Sequence, residues 1–182
     1  MIPGLSKMLK QNTEGLDAQA AVVVLLRGKD QEVQVLFVKR AEKTTDPWSG
    51  QTALPGGKRN PEDRDMKETV IRETIEETGI NLLDGCHFLG EMEPFRSTQK
   101  PEMQILPFVV LQEKKQVIKL NEELTGYFWT PIKELVKHEG TVKNSFGEQS
   151  AYIIEKQVIW GLTYRILHKL LSLLAPIEKR SK

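Results

Sequence analysis

The chain has 182 residues, 39% of them apolar, and a formal net charge of +1 at pH 7. This length and apolar fraction are typical of a single domain with a substantial core. The scattered basic residues do not indicate a nucleic-acid partner, and Cys86, the only cysteine, cannot form a disulfide within the chain. The sequence has no secretory signal and no apolar run of membrane-spanning length, which predicts a cytoplasmic protein without a membrane partner.

The domain is expected to span residues 19–175. Residues 1–18 are mostly polar and predict a short leader whose deletion would spare the chemistry, although Leu5 and Leu9 are spaced for one stripe of a small helix. Residues 176–182 start with a proline and carry charged side chains, which predicts a C-terminal tail.

Two strands are predicted at the start of the domain. Ala20–Leu26 is apolar throughout and rich in valine, which is typical of a strand buried on both faces. Val33–Lys39 follows a turn and is expected to pair back on the first strand. Lys39 and Arg40 then lie together at a strand end, where they are either solvated or bind a phosphate of the substrate.

A helix is predicted over Arg64–Thr78, with Gly79 as its C-terminal stop. Within it, Glu73, Glu76 and Glu77 stand at positions i, i+3 and i+4, so their carboxylates should share one face.

The opposite face of this helix, with Ile71, Ile75 and Thr78, is expected to pack on the core. The acidic face is either ordinary solvated surface or a metal site. Three carboxylates with only Arg72 beside them would repel one another by about 0.2–0.5 kcal/mol per pair, and a divalent cation would supply the missing charge. Ligands that are all oxygen favour Mg²⁺ or Mn²⁺ over zinc.

Two further strands are predicted after the helix, at His87–Glu93 and Met103–Gln112. Pro107 cannot donate a hydrogen bond to a neighbouring strand, which predicts an edge position or a bulge. The loop between these strands, Pro94–Pro101, carries Arg96, which is either a surface cation or a substrate contact.

The last third of the chain is predicted to contain a loop or short hairpin over Thr141–Tyr152 and a long amphipathic helix over Ile153–Leu174. Pro176 is expected to end that helix. Its leucine-rich stripe either packs on the core or contacts a second copy in a homodimer.

The most specific motif lies in the first helix. Residues 72–80 (RETIEETGI) match the end of the Nudix box, R-E-U-x-E-E-x-G-U with U apolar, and Gly56 and Gly57 precede it. The chain therefore resembles the Nudix hydrolases. Counted back from this match, the earlier Glu of the box falls on Arg64 and its Gly on Lys58, so the loop is one residue longer than the standard one. Thr74 also replaces an apolar residue.

The segment before the box is similar to that of the coenzyme A pyrophosphatase branch. Residues 50–57 (GQTALPGG), followed by Asp63, look like its G-Q-x-x-F-P-G-G segment and acidic residue, and the same one-residue shift is common in that branch. Leu54 stands for Phe, and residues 46–49 (DPWS) replace a stretch that contains His. Residues 158–163 (VIWGLT) also resemble this branch.

The resemblance implies an α+β fold, a Nudix-type α/β/α sandwich with a mixed sheet between helices. It also implies the metal ligands, which would be the side chains of Glu73, Glu76 and Glu77 and the backbone carbonyl of Gly57. Arg72 and Gly56 would support this site, with Arg72 orienting a carboxylate.

The same resemblance implies a general base. Acidic residues in the region of Glu122 and Glu123 supply an extra ligand or a base in some Nudix enzymes, and a solvated turn is the alternative. Glu76, Glu77 or Glu123 would then accept the proton of the attacking water.

The implied activity is hydrolysis of a pyrophosphate bond in a small nucleotide-derived substrate. Coenzyme A, cleaved to 4′-phosphopantetheine and adenosine 3′,5′-bisphosphate, is the first candidate, and ADP-ribose or another nucleoside diphosphate derivative is the second. A nucleotide sensor that binds without turnover is the alternative from another class, although three intact box glutamates speak against it.

Overall fold

The computed structural model describes residues 2–11, 18–42 and 50–180, without the side chains of residues 2, 3 and 176–180. The described helices are α1 (Ile2–Leu5), α2 (Met66–Thr78), α3 (Ile132–Lys137) and α4 (Gly161–Arg180), and Ser6–Met8 forms a 3-10 turn. The described strands are β1 (Ala20–Lys29), β2 (Glu32–Arg40), β3 (Thr52–Ala53), β4 (Gly56–Lys58), β5 (Cys86–Glu91), β6 (Phe95–Arg96), β7 (Gln104–Gln112), β8 (Leu124–Pro131), β9 (Glu139–Asn144), β10 (Gly147–Ile154) and β11 (Gln157–Trp160). None of these helices is long and apolar enough to cross a membrane.

The described strands form two sheets. The larger sheet has eight strands, with the central order β3-β2-β1-β7-β5, and β4, β6 and β8 pair with β1, β7 and β2 respectively. β1 and β7 run parallel and the other pairs of this sheet run antiparallel, so the sheet is mixed. The smaller sheet is the antiparallel set β9, β10 and β11.

Helices cover both faces of the larger sheet. Because side chains alternate along a strand, Val24 and Leu26 of β1 join a core cluster with α4, whereas Val23 and Leu25 join a cluster with α2. The predicted α+β class, with a mixed sheet between helices, is confirmed.

An opening forms where β1 and β2 separate. One edge of β1 pairs with β2 over Leu26–Lys29 and with β4 over Ala20–Val22. Between these two pairings, the N–H of Val23 donates to Pro55 O at 2.8 Å. Gly56 has φ +144°, and a Cβ there would lie 2.2 Å from Ala21 O, so only glycine allows β4 to enter the gap.

Helix α2 begins two residues later than predicted, at Met66. Asp65 is its N-cap and accepts a hydrogen bond from the N–H of Glu68 at 2.7 Å, which satisfies one of the free donors of the first turn. Gly79 ends the helix as predicted, with a left-handed φ of +73° and its N–H bonded to Ile75 O.

The predicted core face of α2 was right for Thr78, which is fully buried, and for Ile71, which packs on a core cluster, but wrong for Ile75. Val70, Thr74 and Glu77 are buried, whereas 41% of the Ile75 side chain is exposed. These three buried residues recur at i, i+4 and i+7, which is the helical period, so the buried stripe includes a carboxylate. Glu77 therefore does not share the exposed face of Glu76.

Of the two alternatives predicted for Pro107, an edge position or a bulge, the edge position was wrong, because β7 lies between β1 and the strands β5 and β6. The pairing of β5 ends opposite Phe108 and that of β6 starts opposite Ile105, so Pro107 falls at the interruption between them. There the carbonyl of Pro107 accepts a hydrogen bond from Met92 N at 3.0 Å. Because proline lacks an N–H only at this interruption, neither the β5–β7 nor the β6–β7 pairing loses a hydrogen bond.

The predicted long helix was wrong over its first eight residues, because β10 continues to Ile154 and β11 follows before α4 begins at Gly161. The β-branched and aromatic residues of β11 favour a strand, and their spacing had also fitted a helix. The predicted stop at Pro176 was wrong, since α4 continues to Arg180, and a proline in the last turns removes a single helical hydrogen bond. The buried leucines Leu170 and Leu174 pack in the core.

Residues before the predicted domain boundary pack on the sheet. Leu5 is fully buried and Leu9 is buried in the same core cluster as α4. The backbone of Lys10 exchanges two hydrogen bonds with that of Glu91, at 2.9 and 2.7 Å. Residues 12–17 of the predicted leader, and residues 181 and 182 of the predicted tail, lie outside the described residues.

Candidate active site

A cleft of about 670 Å³ lies at the opening beside β4. Four segments meet there: the box loop and α2, the loop after β6, the turn of the β9–β10 hairpin and the start of α4. The box residues that line it are Gly56, Gly57, Lys58, Asn60, Arg72, Glu73, Glu76 and Glu77. The three predicted acidic ligands, both glycines and the predicted supporting arginine therefore share one cavity.

Glu77 is the most buried of these carboxylates, with 4% of the residue exposed. Its Oε2 accepts a hydrogen bond from the N–H of Gly56 at 2.9 Å. Burial raises the pKa of Glu77 to about 7, and the Gly56 hydrogen bond opposes this shift. The charge of Arg40, which also lines the cleft, lowers this pKa as well, so the two side chains are close enough to interact.

Glu73 is half-buried and lies against the glycine loop. A Cβ added to Gly57 would meet Glu73 Oε2 at 2.4 Å, so the absence of a side chain at Gly57 makes room for the carboxylate. Burial raises the pKa of Glu73, Arg72 lowers it, and the charges of Glu76 and Glu123 raise it further. These mutual effects indicate that the acidic groups are close enough to interact.

Arg72 connects the acidic groups. Its Nε and Nη2 donate to Oδ1 and Oδ2 of Asp63 at 3.0 and 2.8 Å, which is a bidentate ion pair. Its Nη1 donates to Glu73 Oε1 at 2.9 Å and to Glu76 Oε2 at 3.2 Å. The guanidinium thus orients two carboxylates.

Asp63 is itself held firmly. The N–H of Asn60 and the hydroxyl of Thr69 each donate to its Oδ2 at 2.9 Å, and the residue is buried. The hydrogen bonds from Arg72 hold the pKa of Asp63 well below its usual range. The sequence singled out Asp63 as the acidic residue after the glycines but did not predict its ion pair with Arg72.

The structure separates the predicted substrate contacts. Arg40 lines the cleft, whereas Lys39, the residue before it on β2, does not, because successive side chains of a strand point to opposite faces. Arg96 does not line it either, although its carbonyl accepts a hydrogen bond from Arg165 Nη2 at 2.5 Å. Lys100, from the same loop as Arg96, does line the cleft. The sequence indicated this loop but not which of its cations faces inward.

Glu123 lines the cleft and Glu122 does not. The backbone of Glu123 is fixed, because its carbonyl accepts from Ala41 N at 2.8 Å and its N–H donates to Asn121 Oδ1 at 3.0 Å. Its side chain is exposed, and its charge raises the pKa of Glu77. Glu123 is therefore an exposed carboxylate on a fixed backbone beside the box glutamates.

The sequence predicted a loop or short hairpin over residues 141–152 but assigned none of its residues to the site. Phe146 and Gln149 of this hairpin and Trp160 of β11 line the cleft. The sequence signal for Phe146 is an aromatic residue within a polar turn, where burial is not expected.

A hard divalent cation suits the donors in this cleft. Within residues 2–11, 18–42 and 50–180, no three His, Cys, Asp or Glu side chains already surround one point, since Arg72 draws Glu73 and Glu76 toward itself and Gly56 holds Glu77. The donors are nevertheless all oxygens, and Glu77 is a carboxylate whose burial a cation would compensate.

Residues 17–149 match the family model described as the NUDIX domain. The chain belongs to the Nudix family. It is 34% identical over 151 residues to an uncharacterized Nudix hydrolase, NudL, of Yersinia enterocolitica, covering 76% of this chain and 73% of that protein. It is 29% identical over 167 residues to the human mitochondrial coenzyme A diphosphatase NUDT8, covering 87% of this chain and 70% of that protein. These named relatives place it among the Nudix hydrolases.

Two other relatives are considerably longer. The chain spans 34% of the length of an uncharacterized Schizosaccharomyces pombe protein and 50% of that of the mitochondrial Nudix hydrolase 15 of Arabidopsis thaliana. Among solved structures, the Nudix hydrolase RenU of M. smegmatis superposes with a TM-score of 0.62 at 13% identity, covering 88% of this chain and 87% of RenU. This likeness shows the same fold.

Proposed function

We propose that this protein hydrolyses the pyrophosphate bond of coenzyme A, with Mg²⁺ or Mn²⁺, to give 4′-phosphopantetheine and adenosine 3′,5′-bisphosphate. The observation that carries the proposal is the gathering of Glu73, Glu76, Glu77 and Glu123 in one cleft with Arg40. Such a cleft combines oxygen ligands for a cation with a guanidinium for a phosphate.

Glu73, Glu76 and Glu77 would hold the divalent cation, with the carbonyl of Gly57 as a further donor. When bound, the cation neutralises charge on the phosphoryl groups and makes water more acidic. Helix α2 provides a rigid support for the three carboxylates, because its N-cap and its C-terminal glycine fix both ends.

Arg72 acts by positioning. Its bidentate bond to Asp63 fixes the guanidinium, which in turn orients Glu73 and Glu76. Arg40 and Lys100, which line the cleft, bind the negatively charged phosphate oxygens of the substrate.

Glu123 accepts the proton of the attacking water. Hydrogen bonds to Arg72 or to the backbone engage the carboxylates of Glu73, Glu76 and Glu77, whereas the Glu123 side chain is exposed toward the cleft. A carboxylate that can turn toward the water while its backbone stays fixed suits general-base catalysis.

The lining of the cleft supports coenzyme A as the substrate. Apolar side chains lie beside the acidic ones, among them Val22, Leu54, Ile105, Leu162 and Ile166. The pantetheine arm of coenzyme A would cover such a surface, whereas the terminal ribose of ADP-ribose would not. The name of the human relative, a coenzyme A diphosphatase, supports the same choice.

The test is a Mg²⁺-dependent assay over coenzyme A, ADP-ribose and a dinucleoside polyphosphate, with products identified by mass spectrometry. We expect 4′-phosphopantetheine from coenzyme A, loss of activity with a chelator and recovery with Mg²⁺. Faster turnover of ADP-ribose than of coenzyme A would make ADP-ribose the substrate instead. Tight binding of one compound without turnover of any would favour the sensor.

A further inference from the structure

We infer that Phe146, supported by Trp160, forms the stacking surface for the purine base of the substrate. This subsite rests on the proposed function for its ligand class, since a nucleotide diphosphate is what brings a base into the cleft. It lies on the hairpin and on β11, outside the box.

Phe146 is an exposed aromatic side chain that the turn holds in place. Its side chain is 55% exposed at the edge of the cleft. Its N–H donates to Asn144 Oδ1 at 2.8 Å, and its carbonyl accepts from Gln149 Nε2 at 3.2 Å. Gly147 then completes the turn with φ +93°. Two hydrogen bonds thus fix the backbone of Phe146 in a conformation that leaves its ring exposed beside Trp160. An exposed aromatic ring at the edge of a cleft favours a ligand contact over core packing.

Trp160 supports this ring from the next strand. The centroids of the Phe146 and Trp160 rings are 5.9 Å apart, and the ring planes are inclined by 36°. That spacing leaves no room for a base between the rings. The base therefore stacks on the exposed face of Phe146.

The same cleft contains an acceptor suited to an amino group. Oε1 of Gln99 is shielded from solvent and has no hydrogen-bond partner among the described residues, and Gln99 lines the cleft. A shielded acceptor without a donor is unfavourable, and an exocyclic amino group would satisfy it once the Gln99 side chain turns toward the cleft. An aromatic surface and a lone acceptor in one cavity fit adenine, which presents a flat ring and an amino donor.

The test uses adenosine 5′-monophosphate, which has no pyrophosphate bond to hydrolyse, and ribose 5-phosphate, which has the same phosphate but no base. In the wild-type chain, the nucleotide should quench tryptophan fluorescence. Phe146→Ala should raise its Kd by roughly 5- to 100-fold, as loss of one base stack does, and Phe146→Tyr should restore it. The Kd of ribose 5-phosphate should be equal in all variants.

Two variants serve as controls. Ile153→Ala removes an exposed apolar side chain from the same hairpin, outside the cleft lining, and should leave the Kd of the nucleotide unchanged. Trp160→Phe keeps an aromatic ring but removes the tryptophan beside Phe146, one of three in the chain, so the quench should weaken while the Kd measured by calorimetry stays within a few-fold. The folded state of each variant is checked by circular dichroism.

Equal nucleotide affinity in Phe146→Ala and wild type would overturn the subsite. Failure of the proposed function looks different. In that case no diphosphate is hydrolysed, yet the nucleotide still binds through Phe146, and the subsite stands in a binding protein.

Discussion

The acidic side of the cleft is built on the larger sheet, and the aromatic side is built on the separate sheet of three strands. On the acidic side, Glu77 is buried and bonded to the backbone of Gly56, and Arg72 fixes its neighbours. On the aromatic side, Phe146 lies exposed at a hairpin turn. In the proposed function, the metal-binding carboxylates are therefore held on the core of the domain, whereas the surface proposed for the base is carried by the smaller sheet. The predictions below test this division.

The largest expected effect is on the acidic side. Glu77→Gln should lower kcat by on the order of 10²-fold or more and leave the fold intact, because the amide oxygen can still accept the Gly56 hydrogen bond but carries no charge. Steady-state kinetics measures kcat, and thermal unfolding shows whether the fold is intact. Glu122→Gln, outside the cleft, is the matched control and should retain wild-type kcat. Wild-type kcat in Glu77→Gln would remove this glutamate from the catalytic machinery.

The close approach of β4 to β1 should be the most sensitive backbone feature. Gly56→Ala should destabilise the fold by about 2–3 kcal/mol, because the new Cβ would meet Ala21 O and the φ of +144° is strained for alanine. Denaturant unfolding measures the free energy. Gly28→Ala is the control, since nothing lies within 4 Å of a Cβ there. Equal destabilisation in both variants would show that the close approach is not the cause.

The ion pair of Asp63 and Arg72 should contribute to stability with a defined dependence on pH. Asp63→Asn should cost about 1–3 kcal/mol at pH 7, where it removes a buried, charge-assisted pair. Because the folded pKa of Asp63 is depressed, this contribution is present above the unfolded pKa and is lost as pH falls. The two unfolding free energies should therefore begin to approach each other below about pH 4 and continue to do so as pH falls toward the depressed pKa of Asp63. A gap that stays constant from pH 7 to pH 3 would contradict this origin.

The smallest effects are expected in the smaller sheet and the helix beside it. The hydroxyl of Tyr152 is buried without a hydrogen-bond partner among the described residues, so Tyr152→Phe should leave stability unchanged or raise it by up to about 1 kcal/mol. The ring of Tyr164 packs at a tilt against that of Tyr152, but its hydroxyl donates to Glu139 Oε1 at 2.5 Å, so Tyr164→Phe should destabilise by about 0.5–1 kcal/mol. Thermal unfolding measures the stability of both variants. A Tyr152→Phe variant less stable than Tyr164→Phe would contradict the assigned hydrogen bonds.

The sequence predicted the acidic side better than the aromatic side, for a physical reason. The box helix has a capping residue, a glycine stop and a dense pattern of charges, all of which are local signals. The burial of Glu77 was not local, because it depends on the approach of β4 and on the Gly56 hydrogen bond. The sequence therefore indicated which carboxylates meet but not which one is desolvated.

The aromatic side was missed because its signals are ambiguous. The apolar residues of β11 satisfy a helical and an extended spacing at once, so the sequence pattern alone extends the following helix over Val158–Trp160. Gly161, with its left-handed φ of +63°, marks the true boundary, and the backbone conformation of a single glycine cannot be predicted from the sequence. The position of Phe146 over the cleft depends on the packing of one sheet against the other.

The additional residue in the box loop matters for how such proteins are found. A Nudix-box pattern with fixed spacing requires an acidic residue at the position of Arg64, so a search with that pattern would miss this protein. In three dimensions the demand is met, since Asp63 pairs with Arg72 at 2.8 Å. A search defined by which charges touch, instead of by how many letters separate them, would retrieve this chain and others whose loops have lengthened in the same way.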